Sequence, residues 1–204
     1  MNDSNKNAAS EVLTFWFGSD LPDHPPAETL RKCWFSGGSP FDDEIRTRFG
    51  DLVDAALAGQ LGDWRETLSG QLALVLVCDQ FTRNIFRGSP RAFAGDPQAL
   101  AISQAVIRDN QQTTLGLHQR AFLGMPLEHS EQPEVQAQSV AYFDQLRQDF
   151  TSGPEAKTAA SYYRFAARHR DVIAEFGRYP HRNAALGRPS TAAEQAWLDA
   201  GGGF

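Results

Sequence analysis

Leu72 to Cys78 reads LALVLVC, a run with no polar side, and it constrains this chain more than any other stretch. A segment that is apolar all round has no face to offer water, so it belongs in the middle of a domain. At this length a buried strand competes with a buried helix. The continuation through Asp79, Arg83 and Arg87, with Phe81 and Ile85 offset between them, favours a helix from Leu68 to about Arg87. The run is far too short to cross a bilayer, which takes about 20 apolar residues.

The remaining pattern is helical too. Phe41, Ile45, Phe49, Leu52, Val53 and Leu57 recur at three- and four-residue intervals behind a start signal of Ser39 as cap, Pro40 at N1 and Asp42 at N3. Ala8 to Phe17 and Glu28 to Phe35 read as short helices around a Pro-rich connection, Leu21 to Pro26. Asp96 and Pro97 open another, to about Asp109, with Ile102 and Val106 on one side. Leu117 to Leu123 reads as a short, turn-rich element. Ser130 is a candidate cap for a helix to about Phe150, and Glu155 to Phe176 carries Phe165, His169, Ile173 and Phe176 on one face. Thr191 and Glu194 form a capping-box pair ahead of Trp197 and Leu198.

No run alternates with period two long enough to make a sheet. No linker divides the chain, and no 34-residue repeat is visible. The expected architecture is therefore all-α, one domain over residues 1–204, built as an irregular array of antiparallel helix pairs.

Charge and cysteine usage narrow the function. The 204 residues carry 19 Lys and Arg against 25 Asp and Glu, a formal charge of -6. That disfavours a general nucleic-acid binder, which needs a basic footprint. Cys33 and Cys78 have no CxxC partner, so no zinc knuckle or redox motif is present and a reducing cytosol is the simpler setting. The opening MNDSNKNAASEVLTFWFG lacks the layout of a signal peptide. A soluble, cytoplasmic protein without a membrane segment is expected, its oligomeric state left open.

Polar chemistry collects in four places. Asp79, Arg83 and Arg87 follow the apolar run at i, i+4, i+8, on one helix face; they form either an ion-pair ladder or a pocket wall in which an arginine holds an anion. His129 and Glu131 flank a helix start without the spacing of a metal motif. His169 sits on an apolar face, where a packed core histidine is the plainer alternative to a ligand. Arg178, His181, Arg182 and Asn183 then crowd around Tyr179 and Pro180, with Arg188 just beyond. Forked guanidinium donors and a histidine in a Gly/Pro-marked loop suit a carboxylate or phosphate; the alternative is a solvated basic loop. Widely spaced histidines among arginines make a metal site unfavoured, and no phosphate-loop, dinucleotide or nucleophile-elbow motif calls for a cofactor.

The blocks CDQFTRNIFRG (Cys78 to Gly88) with AFAGDPQAL (Ala92 to Leu100), FLGMPLEHSE (Phe122 to Glu131) and HRDVIAEFGRYPHRNAALGRPSTAAE (His169 to Glu194) resemble, in order, the signature blocks of the DUF924 family. LTFWFG (Leu13 to Gly18) and Trp34-Phe35 fit as well, so the resemblance covers nearly the whole chain. It implies a helical fold related to tetratricopeptide-like arrays and no established activity. Its signature positions fall on Asp79, Gln80, Arg83, Asn84, Arg87, His129, Ser130, Glu131, His169, Arg178, His181, Arg182 and Asn183. Tyr179 departs from the phenylalanine the resemblance implies there.

Two functions follow as expectations. In the binding reading, Asp79, Arg83, Arg87, His169, Arg178, Arg182 and Asn183 hold an anionic small molecule or an acidic peptide terminus. In the enzyme reading, His129 or His181 transfers a proton, oriented by Glu131 or Asp79. A scaffold protein would instead pair these residues with one another.

Overall fold

The computed structural model describes residues 3–22, 24–34, 38 and 40–204, with side chains from residue 7 onward. The expected cap at Ser39, together with Phe35 and Gly37, lies outside the described residues. Among those described, every regular element is helical. The order is α1 (Asp3–Phe17), α2 (Glu28–Cys33), α3 (Pro40–Leu57), α4 (Leu68–Val75), α5 (Thr82–Ile85), α6 (Asp96–Arg108), α7 (Leu117–Glu128), α8 (Pro133–Asp149), α9 (Gly153–Phe176) and α10 (Ala192–Asp199). The chain forms two compact units, residues 1–87 with 91–126, and 88–90 with 127–204.

In the first unit the apolar run behaves as its composition demands. Leu72 to Cys78 are each at most 1% exposed, with α1, α3 and α6 packed around them. The run is not one α-helix: between α4 and α5 the backbone makes a π-helical turn, Leu76–Phe81. Two side chains of α5 serve the loosened carbonyls of that turn. The Thr82 hydroxyl donates to Cys78 O at 2.8 Å, and Arg83 Nη1 donates to Asp79 O at 2.7 Å. Gly95 permits close approach, because a Cβ there would collide with the Cys78 carbonyl. Aromatic rings fill the rest, with Phe122 edge-on to Trp34 at 4.7 Å and to Trp16 at 5.3 Å.

Several elements differ from the sequence expectation: α1 starts at Asp3 rather than Ala8, and the helix read as capped by Ser130 starts at Pro133 behind Gln132. Asp96 is already the first residue of α6 rather than its cap, and its carboxylate takes the fork of Arg83 at 2.7 and 3.0 Å. Residues 117–128 form a full helix, not a turn-rich element, and it runs through Pro126. Every residue of that helix is buried, so it has no polar face to mark its period in the sequence.

In the second unit α8 and α9 pack along each other, joined by a short loop at 150–152. This stacked pair carries the helical architecture expected. Gly177 ends α9 in the left-handed region at φ 69°, its N–H on Ile173 O at 2.8 Å. Val172, Ile173 and Tyr179 then form a small core with Phe176 and Trp197. The capping box of Thr191 and Glu194 opens α10.

Candidate functional site

The expected site residues fall into the two units, and each set is built separately. In the first unit Asp79 is fully buried. Gln80 Nε2 donates to its Oδ2 at 2.5 Å, and Arg83 Nη1 lies 3.1 Å from its Oδ1. Arg83 also forks onto Asp96. Arg87 reaches a different acid, Asp42, at 3.2 Å, and Asn84 donates to the same carboxylate at 2.6 Å. Burial opposes the charge on Asp42, but Asn84, the Gly38 N–H and Arg87 together outweigh it and hold the carboxyl below its ordinary value. Asp42 read as a helix-start residue in the sequence; its 42-residue separation from Asn84 gave no local signal of this role. Cys78 lies inside the same core, its thiol pushed up to about 12 by burial and by Asp79, so it is inert at neutral pH.

In the second unit Tyr179 organises the polar residues. Its ring is fully buried. Its hydroxyl donates to Glu128 O and accepts from Gln136 Nε2 at 2.9 Å. Its N–H donates to Glu131 Oε1 at 2.9 Å, and its carbonyl accepts from Arg188 Nη2 at 3.1 Å. Glu131 meets Arg188 through two bonds, 2.7 and 3.0 Å. Burial opposes the Glu131 charge, but Arg188, the Tyr179 N–H and Arg182 hold it below the ordinary carboxylate value. Glu131 is thus the clamp on the Tyr179 loop.

Arg178 and Asn183 belong to a second tie. Arg178 forks onto Glu194 at 2.6 and 2.8 Å and also donates to Pro189 O. Asn183 donates to Ser190 Oγ at 3.1 Å and accepts from Arg188 Nε at 3.0 Å. Arg178 and the Thr191 N–H hold the Glu194 carboxyl down at about 2.

Two histidines, His169 and His181, meet the Tyr179 ring, and His129 joins them through His169. His169, 6% exposed, stands edge-on to Tyr179 at 5.7 Å, with His129 at 6.2 Å from His169. The exposed His181 lies 5.5 Å from Tyr179, and the buried Arg182 sets its guanidinium 4.5 Å over the same ring. His169 Nδ1 is 2.8 Å from Phe165 O, which can only accept, so Nδ1 carries the proton and Nε2 keeps its lone pair. Glu128 Oε2 lies 3.5 Å from the same Nδ1. Burial first, then the positive charge associated with His129, Arg182 and His181, lowers His169 to about 3 despite the Phe165 carbonyl. The imidazole is neutral at physiological pH. Phe204 stacks flat on it, centroids 3.7 Å apart at 12°.

The second unit therefore brings His129, Glu131, His169, Arg178, His181, Arg182 and Asn183 into one continuous network. Sequence reasoning missed Glu128, Gln136, Glu194 and Phe204 as members. Glu194 had a readable local role as a capping residue, and its second role depends on the tertiary approach of Arg178. Among the described residues no group of three or more His, Cys, Asp or Glu is arranged to hold a metal ion. No helix among them is long and apolar enough to cross a membrane.

The family described as bacterial protein of unknown function (DUF924) matches residues 12–202. The solved structure of a protein of unknown function from Agrobacterium tumefaciens is similar at 30% identity. It superposes with a TM-score of 0.80 over 96% of this chain and 99% of that one. No curated protein matches the chain.

Proposed function

We propose that this chain, which belongs to the DUF924 family of bacterial proteins of unknown function, binds an anionic small molecule at the His169 face of its second unit. One observation carries the reading: the Arg182 guanidinium, His181 and the buried His169 gather on the Tyr179 ring, with His129 beside His169. A permanent guanidinium charge among ring N–H donors at a partly desolvated surface favours an anion. The binding groups are Arg182, His129 and His181, with His169 Nε2 as an acceptor. Arg178 and Arg188, engaged by Glu194 and Glu131, shape the loop rather than grip the ligand. The Asp79–Arg83–Asp96 and Asp42–Arg87 pairs are read as internal ties of the first unit.

Turnover by a histidine base is the second reading. General-base work is most efficient when the pKa lies near the working pH. At about 3, His169 is a weak base, which favours binding over catalysis at that residue. His129 and His181 remain the candidates for proton transfer, with Glu131 already committed to Arg188. A tetratricopeptide-like array in the cytoplasm would suit an acidic peptide terminus as ligand; stacked helix pairs are compatible with it, and fold alone does not select it.

Inorganic phosphate is the test ligand. Phosphate is expected to raise the melting temperature of the wild type by mass action, and much less that of a His181→Ala/Arg182→Lys double variant, which keeps the bulk at Arg182 but loses its fork. Equal shifts in both proteins would remove this cluster as the anion site.

A further inference from the structure

The segment after α10 is built to return. Ala200 caps the helix, Gly201 takes φ 83°, and two bonds close a Schellman turn: Gly201 N–H to Leu198 O and Gly202 N–H to Trp197 O, both 2.9 Å. Gly202 has no room for a side chain, since a Cβ would fall inside the Trp197 ring. Gly203 lies at φ 153°, a conformation that L side chains rarely adopt. Each glycine has its own reason to be glycine, and together they deliver Phe204 onto His169.

Phe204 is placed there but not enclosed. Its ring stacks on His169, meets the edges of His181 at 5.7 Å and Tyr179 at 6.0 Å, and has the Arg168 guanidinium 5.5 Å from its centre. Even so it is 48% exposed. A large apolar ring left half in water is released more easily than a core residue, because it has less buried area to lose. The surroundings it occupies are a flat imidazole face rimmed by cationic and protonatable groups.

We infer that Gly201–Phe204 is a strap whose phenyl ring occupies a subsite for a planar aromatic group, so that the ligand is a ring-bearing anion that displaces Phe204. The inference rests on the anion-site reading above and specifies its ligand. The ring of the ligand replaces the phenyl group on His169, and its carboxylate or phosphate meets the Arg182–His181 rim. Because the strap competes, the apparent dissociation constant is the intrinsic one divided by the fraction of molecules with the strap released. A strap docked in about nine molecules of ten weakens an outside ligand about tenfold.

Benzoate, a ring with a charge, and inorganic phosphate, a charge without a ring, separate the parts. Calorimetry on the wild type, Phe204→Ala and Gly202→Ala is the experiment. Benzoate is expected to bind about tenfold tighter to Phe204→Ala, with phosphate unchanged. Gly202→Ala, which keeps the phenyl ring but cannot keep the turn, should follow it. Unchanged or weaker benzoate binding in Phe204→Ala would overturn the inference while leaving the anion site standing, provided phosphate still binds. An equal gain for both probes would overturn the ring subsite, and failure of all three proteins to bind either probe would remove the anion site as well.

Discussion

Tyr179 shows how much one hydroxyl can hold. Its oxygen joins the Glu128 carbonyl at the end of α7 to the Gln136 amide on α8, and both partners are buried. Tyr179→Phe removes the hydroxyl while keeping the ring, and is expected to lower stability by about 1–2 kcal/mol in denaturant unfolding. Glu131→Ala should reach about 2 kcal/mol or more, since it leaves the Tyr179 N–H and the Arg188 fork without their acceptor. Glu194 answers to pH instead. Its folded value of about 2 lies below the ordinary 4.5, so its contribution is complete above 4.5 and is lost as pH falls through 2. Glu194→Gln is expected to flatten the acid-unfolding curve in that window; an unchanged slope would show that the Arg178 pair does not matter to folding.

At the scale of elements, legibility followed the locality of the signal. The Thr191–Glu194 capping box lies within one helical turn of the end it defines, and it formed as read. The helix 117–128 did not read as one, because burial on all sides erased the amphipathic stripe. Phe165 shows the opposite error. It shares a spacing with His169 and Ile173, yet it is 43% exposed, under the Arg168 guanidinium, while those two are buried. Periodicity assigns a face, but only packing decides how far along a helix the face is covered. In the second-unit network Arg178, His181, Arg182 and Asn183 lie together in the sequence, whereas Glu128 and Phe204 join them through tertiary approach.

For the whole molecule, two buried imidazoles add to the acid response of the paired carboxylates. His118 in the first unit is lowered to about 4 by burial and Arg31, and His169 in the second to about 3. Both start from 6.5 in the unfolded chain, so unfolding takes up protons below that pH. Stability is full above 6.5 and falls as pH drops towards 4 and 3, each histidine adding a slope of up to about 1.4 kcal/mol per pH unit. Urea unfolding at pH 7.5 and 5.0 should show the loss, and His118→Gln or His169→Gln should each reduce the difference. The π-helical turn at Leu76–Phe81 has a consequence of another kind. It holds one residue more than an α-helical turn, and each α-helical residue turns the chain by about 100°. Deleting a single residue there would restore uninterrupted α-helix and leave Arg83 and Asn84 facing Asp96 and Asp42, whereas winding the turn as α-helix without a deletion would swing both away by about 100°. An aligned relative without the turn should therefore show a one-residue gap at this point, with both acidic partners kept.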